Sequence, residues 1–462
     1  MRPVQRTQSR HARLVAGQLG QAETGEITGD VDRIGHGNTL AAGYDISVRR
    51  KRAYDPRMTI SDTRARRPVI TLLVVCQSTI GLIFGGIGLF LPLIRSDLGL
   101  SFTEAGTLAA ASNLTYALMQ VPSGYLADRF TPRRLFVIGL VGMNLLAALF
   151  AVLHSYPLLL IDQALAGFFR ALVFTPGMLL MTELFPPGRR ATAMGLYVVG
   201  GFSSNILLSA VGPLLVGPLG WRLLFILFAC SGLLALALYR FLAGPAPERP
   251  RTDPVRFAEL PGLIRQRIVQ LTGVIQFTRL AVAQGFTFWL PTYLVVDRGQ
   301  SLASAGLVAA VASAISAPVN YLGGYLSDRI NRPLLVIGGS LAVLTVGLSL
   351  LTYAPGMAGL LGVVALISVA IQVYFGPLFA LPLQVLGDRN AGLISGFGNF
   401  CANLGSFVFV YALGVVKDVT GSFRAGYLSL AALCVVALLA TWLTRPLVHR
   451  AASDSAFGSA PS

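Results

Sequence analysis

The chain has 462 residues, of which 12% are charged and 54% apolar, with 50 glycines besides. Soluble domains carry roughly 25% charged residues, so this composition excludes a soluble enzyme, a disordered scaffold and a secreted disulfide protein. It leaves an all-α polytopic membrane protein. The net charge of +16 would suggest nucleic acid, but its distribution argues for membrane topology and no nucleic-acid partner.

Residues 1–68 hold 13 of the 36 Lys and Arg and 7 of the 20 acidic residues. They contain no apolar segment of the kind a secretory signal needs. Low hydrophobicity predicts a disordered cytoplasmic N-terminal tail, whose basic runs VRRKR and RARRP suit an anionic lipid surface. An equal reading takes Met58 as the true start.

Beyond the tail, apolar windows of about 20 residues fall near 69–94, 104–126, 135–153, 157–184, 191–215, 221–243, 268–294, 303–326, 334–353, 357–382, 391–415 and 425–444. They predict 12 transmembrane helices. Residues 244–267, rich in Pro and Arg, read as a cytoplasmic linker between an N-terminal bundle (69–243) and a C-terminal bundle (268–444). Residues 445–462 form a C-terminal tail. With both termini cytoplasmic, the inner loops and C-tail hold 16 Lys and Arg. The outer loops hold five: Arg95, Arg222, Arg298, Lys417 and Arg424. Positive charge stays inside, so the bias sets a multi-pass orientation in the cytoplasmic membrane. Two arginines remain, Arg170 and Arg279, and both lie within apolar windows.

The four cysteines lie in apolar stretches without CxxC spacing, and the four histidines fall in tails or a short loop. No metal or other cofactor is expected, and no nucleophile–base pair suggests an enzyme.

The sequence repeats at a spacing of 200. SFTEAGTLAAASNLTYALMQVPSGYLADR (101–129) aligns without a gap to SLASAGLVAAVASAISAPVNYLGGYLSDR (301–329), with 11 of 29 positions identical. Gly124, Asp128 and Arg129 meet Gly324, Asp328 and Arg329. One helix upstream, Gln77, Thr79, Leu91 and Pro92 match Gln276, Thr278, Leu290 and Pro291. Two pseudo-symmetric six-helix bundles related by a parallel repeat are one design for alternating access.

These residues carry a family resemblance. GYLADRFTPRR after the second span resembles the loop signature of the major facilitator superfamily, and GYLSDRINR is its weaker echo. Thr131 stands where the family usually has Gly. The resemblance implies that Gly124, Asp128, Arg129 and Arg133, with Asp328 and Arg329, latch the cytoplasmic ends of the halves. Asp128 would face the N-terminus of the eleventh span, where the helix dipole favours a carboxylate. Glu183 and Arg190 resemble the family's charge relay. The family's antiporter motif in span 5 is partial: Gly212 and Pro213 fit, and Leu208 replaces its first glycine. Gly81/Gly85 and Gly392/Gly396 read as close helix packing. FWLPTYL (288–294), GNFCANLG (398–405) and DVTGSF (418–423) resemble the branch of organic-anion and sugar-acid uptake carriers.

Arg170 lies midway along its span and Arg279 eleven residues into the seventh. A midplane arginine costs about 2.5–3.5 kcal/mol on the insertion scale. By resemblance, spans 1, 4, 7 and 10 line a central cavity. Gln163, Gly167, Arg170, Phe174 and Gly177 share one helical stripe, as do Thr272, Gln276, Arg279, Ala283 and Phe286. In the repeat Arg279 aligns with Ile80 and Arg170 with Ala370, so the two charges are additions to a shared scaffold. Two cations without a carboxylate at their depth favour an anion between them. Gln77, Gln276, Gln372 and Tyr374 are the candidate neutral partners, with Phe174 and Tyr116 as walls. The expected activity is import of a small organic anion by proton symport, the proton entering on the substrate or through Glu104 or Asp162. A proton-coupled exporter of hydrophobic compounds and a non-transporting sensor are the alternatives.

Overall fold

In a bilayer the backbone finds no water to bond, so each apolar window must satisfy its own peptide groups as a helix. The computed structural model describes residues 63–185, 190–242, 260–330, 332–386 and 391–457, and every regular element among them is helical. In chain order these are α1 (Thr63–Leu98), α2 (Phe102–Arg129), α3 (Pro132–Val152), α4 (Tyr156–Glu183), α5 (Arg190–Leu242), the short α6 (Leu260–Ile264), α7 (Arg267–Val296), α8 (Leu302–Ile330), α9 (Pro333–Leu351), α10 (Gly356–Val373), α11 (Phe375–Leu386), α12 (Ala391–Thr420) and α13 (Arg424–Phe457). The expected tail 1–68, apart from its last residues, and most of the linker 244–267 lie outside the described residues. The expected C-terminal tail begins as a continuation of α13.

Among the described residues, eight helical stretches are long and apolar enough to cross a membrane. One of them, Ala193–Leu242, has 50 residues, about 75 Å of helix against a hydrocarbon core of about 30 Å. It holds the fifth and sixth windows, and the chain breaks between them at Gly220, whose φ is +73°. A side chain there would be strained, which is why glycine makes the turn. The tenth window is one of the eight stretches, Gly356–Phe379, but its helix is interrupted at a single residue. It divides into α10 and α11 at Tyr374, where ψ opens to 5°.

The first five helices pack among themselves, α1 along α5, α3 on α4 and α2 on α4. In the second set α7 lies along α12, α9 on α13 and α8 on α10. Three seams join the sets: α2 with α12, α5 with α8, and α1 with α7. Lipid supplies no hydrophobic drive between helices, so close approach through small residues matters. A Cβ on Gly81 or Gly85 would run into Ser204 or Asn205 of α5, as the packing reading expects. Gly396 departs from it, with nothing within 4 Å, and the side chain of Gly392 lies outside the described residues. The Gly212-Pro213 motif sits on the α5–α8 seam: a Cβ on Gly306 would come 2.5 Å from both Pro213 and the Ser209 carbonyl.

At one end of the molecule, the sealed end, the two sets close on each other. Phe102, the first residue of α2, enters an aromatic cluster of the second set, 6.3 Å from Trp289 and 5.8 Å from Phe423 between ring centroids. Trp289 donates its indole N–H to the Val410 carbonyl at 2.9 Å. Arg133 and Arg240 lie at the opposite end.

Candidate functional site

Arg170 and Arg279 sit near the middles of α4 and α7, and each is held by aromatic faces. The Arg170 guanidinium lies over Phe84 of α1 at 4.3 Å and Tyr116 of α2 at 4.4 Å. One terminal nitrogen donates to Asn113 Oδ1 at 3.4 Å. Arg279 is buried; its carbon lies 4.9 Å from the Phe375 centroid and 5.8 Å from that of Phe379, both on α11. Its Nε donates to Gln276 Oε1 at 2.8 Å. Among the described residues no carboxylate pairs with either arginine. The ring quadrupoles offset part of the charge, each such contact being worth about 0.5–2 kcal/mol. That offset is smaller than a buried ion pair would give, and it leaves donors free for a ligand.

The helix α11 begins directly after Tyr374. Phe375 and Phe379 are four residues apart, so they share a face, and both meet Arg279. Tyr374 itself is fully buried and lies within electrostatic range of Arg279; its hydroxyl has no hydrogen-bond partner among the described residues. Gln276 and Phe379 also line a small crevice with Thr272, Pro382 and Gly398.

The other expected residues divide. Gln77 keeps a buried Oε1 without a hydrogen-bond partner among the described residues and lies against Gly201 of α5. Gln372 is partly buried one turn before Phe375. Of the two expected walls, Tyr116 lies against Arg170, and Phe174 is partly buried and packs on Tyr197, 6.1 Å away. The α4 stripe is also not an open cavity face along its length. A Cβ on Gly167 would fall 2.1 Å from the Ser112 carbonyl, and one on Gly177 would meet the Tyr197 hydroxyl. Glycine is required at both places by helix contact.

Of the expected latch, Gly124, Asp128 and Arg129 fall in the last turns of α2 and Asp328 in α8, and Arg190 opens α5. The side chains of these five lie outside the described residues. Arg133 is partly buried and donates to the Arg240 carbonyl at 3.5 Å, with its guanidinium 5.8 Å from the Tyr239 centroid. Those contacts stay within the first set of helices. Glu183 is partly buried at the end of α4, and Arg329 is exposed near the end of α8.

The two acids considered for proton entry differ in their surroundings. Glu104 is committed to helix capping: its Oε2 accepts the Ser101 N–H at 2.9 Å while Ser101 Oγ accepts the Glu104 N–H at 3.1 Å. Asp162 is 2% exposed; Oδ2 accepts from Gln163 Nε2 at 3.1 Å and Oδ1 has no partner among the described residues.

Sequence reasoning missed Phe84, Asn113, Phe375 and Phe379. The i, i+4 phenylalanine pair beside Tyr374 was a usable signal for the last two. Phe84 and Asn113 carried none, because they reach Arg170 only through tertiary packing.

The comparisons with known proteins agree with this architecture. The chain is 25% identical over 414 residues to the hexuronate transporter of Bacillus subtilis (strain 168), covering 85% of this chain and 98% of the relative. It is 24% identical over 355 residues to the nitrite extrusion protein of the same organism, covering 76% and 87%. Among solved structures, a bacterial homologue of the human lysosomal transporter Spinster, inward-facing and unoccupied, superposes with a TM-score of 0.72 at 17% identity, covering 84% of this chain and 98% of that one. The model of the Major Facilitator Superfamily matches residues 73–410, and the chain belongs to that family of membrane transporters, close in sequence to its organic-acid carriers.

Proposed function

We propose that this chain is a secondary transporter that works by alternating access and imports a small organic anion together with a proton. The observation that carries the reading is the pair of midplane arginines, each stacked on two rings, with no carboxylate against either among the described residues. A guanidinium fork set over aromatic rings offers paired donors that match a carboxylate, which would supply the missing counter-charge. One bacterial relative is named for transport of hexuronate, an organic anion, and the other for extrusion of nitrite, an inorganic one; both names support an anionic substrate, and the first supports an organic one. Gln77, Gln276, Gln372 and Tyr374 would contribute neutral hydrogen bonds around it.

Asp162 is the better proton carrier of the two acids, since Glu104 is held in its capping box. In this reading the sealed end faces outward and both termini lie in the cytoplasm of a cell whose inner membrane the chain spans. All five cations of the expected outer loops are tied to local acceptors or rings. Arg95 donates to the Leu100 carbonyl, Arg222 to Asp97, Arg298 to the Leu351 carbonyl, Lys417 to Asp297, and Arg424 to the Tyr353 hydroxyl. Structural ties account for these charges, leaving the sixteen at the other side as the orienting signal.

An exporter of hydrophobic compounds is the second reading, favoured by the buried Asp162 with its open oxygen. Counterflow in proteoliposomes, run against carboxylates, sugar acids, nitrate and cyanate, separates the two. We expect an anion to exchange and its net uptake to be driven by an acid outside. Asp162→Asn should keep exchange and lose the drive from the pH gradient. Movement of neutral hydrophobic compounds without any of the anions would overturn the proposal.

A further inference from the structure

The N-terminus of α2 gives a complete account of its orphan amides. A helix leaves its first N–H groups without intrahelical acceptors. The Glu104 N–H is taken by Ser101 Oγ, and the Ser101 N–H by Glu104. The two that remain, on Phe102 and Thr103, are taken by Asp418, the one through Oδ1 at 3.1 Å and the other through Oδ2 at 2.6 Å. Asp418 belongs to the last turns of α12, 316 residues away in sequence. One carboxylate from the second set of helices therefore caps a helix of the first, where the helix dipole also favours negative charge.

The surroundings bring the same two helices together. A Cβ on Gly414, one turn before Asp418, would fall 2.4 Å from the Phe102 carbonyl. The Phe102 ring lies between Arg95 of α1, 3.9 Å above it, and Lys417 of α12 at 5.4 Å. Lys417 is itself fixed by Asp297, which also accepts the Phe423 N–H at 3.0 Å. Asp418 is thus presented by a rigid neighbour.

We propose that Asp418 is a gating residue whose carboxylate, by taking two α2 amides across the α2–α12 seam, holds the sealed end shut. The helices run antiparallel, so each has its C-terminal turns beside the other's N-terminus. Asp128 occupies in α2 the place that Asp418 occupies in α12. A latch by Asp128 at the opposite end, as the family resemblance implies, would make the pair a two-ended balance. One carboxylate would be engaged at each extreme of the cycle.

The inference rests on the alternating-access reading, and the test separates the two. Spin labels go on Ser155→Cys and Ala358→Cys, exposed sites at this end in the first and second sets. Cys230 and Cys401, the native thiols that are not buried, are replaced by alanine. Pulsed dipolar spectroscopy on the full chain in nanodiscs then reads the ratio of long to short label distances, and no substrate is required. Loss of a cap of this kind corresponds to about a two- to thirtyfold change in an equilibrium. Because Asp418 is exposed, Asp418→Ala should raise the open ratio toward the lower part of that range. Asp418→Asn, which keeps an acceptor oxygen, should raise it less. Ser101→Ala weakens the same helix end from within one set and should leave the ratio unchanged. A wild type that never shows the long distance would overturn alternating access. A wild type that opens, with the same ratio in Asp418→Ala, would overturn the clasp. So would a Ser101→Ala ratio as high as that of Asp418→Ala, because the effect would then be plain fraying of α2.

Discussion

Arg279→Gln tests the anion site most directly, because the structure separates what the side chain does for the fold from what it offers a ligand. Nε is engaged by Gln276 at 2.8 Å and the plane rests on Phe375 at 4.9 Å. No hydrogen bond from the two terminal nitrogens is formed among the described residues, so the fork is the part available to an anion. A charge-assisted hydrogen bond to it is worth about 1.5–3 kcal/mol, or about 10–150-fold in affinity at 1.4 kcal/mol per tenfold. Glutamine has a similar reach but no charge, so half-saturation for the transported anion should rise by that factor. Lysine keeps the charge and loses both the fork and the Nε bond, and should recover only part of the loss. Gln276→Leu removes the orienting acceptor alone. Its cost should be that of an ordinary hydrogen bond, about 0.5–1.5 kcal/mol or about 2–12-fold. Arg170→Gln combined with Arg279→Gln should cost less than the sum, since both act on one ligand. The assay is concentration-dependent counterflow, with ligand-induced thermal stabilisation as an independent affinity. A structural arginine behaves differently: Arg279→Gln would melt earlier yet bind the anion as before. That pattern, found for Arg170→Gln as well, would refute the site.

Two more outcomes concern the charged groups at the two ends. Asp128→Asn should leave expression and insertion unchanged and slow transport, which initial-rate uptake on matched amounts of protein would check. Asp297→Asn should remove the counter-charge of Lys417, whose side chain is only 7% exposed and keeps the Gly421 carbonyl as an acceptor; an uncompensated buried charge costs about 3–5 kcal/mol. The unfolding midpoint should drop clearly, and adding Lys417→Met should restore most of it, because no charge is then left buried without a partner.

The fold was readable because the bilayer leaves so few options. Windows without charge must be helices, and the repeat of Asp128–Arg129 at Asp328–Arg329 exposed the duplicated plan. What could not be read was local. Gly220 is one of 50 glycines, and nothing beside it in the sequence marks it as one that takes positive φ. The break at Tyr374 lies in an unbroken apolar run, so hydropathy reports one span where the backbone makes two helices. The three motifs of the second half gave a family branch without a reason. The structure supplies one: Trp289, Asp418 and Phe423 build the seam of the sealed end. Within GNFCANLG, Gly398 abuts Gln276, and Gly405 sits where a Cβ would come 2.1 Å from the Phe277 carbonyl.

The candidate site was half readable for a related reason. A charge at the midplane is costly wherever it occurs, so Arg170 and Arg279 stand out from composition alone. Their partners are phenylalanine, tyrosine and an amide, residue types that membrane helices use everywhere, and only packing selects Phe84, Tyr116, Asn113, Phe375 and Phe379. The repeat, however, sorts scaffold from addition more sharply than residue type does. Arg170 stands against Ala370 and Arg279 against Ile80. Gly220 and Gly421 both turn the chain with positive φ, +73° and +71°. Aligning them sets Asp418 against Gly217, so the α5–α8 seam has no carboxylate at the place where the α2–α12 seam has its clasp. A duplicated scaffold would by itself bind and close symmetrically. Arg170, Arg279 and Asp418 are among the charges that the other half does not repeat, and on the two proposals above they would give the molecule a site with a sign and a seam with a preferred state.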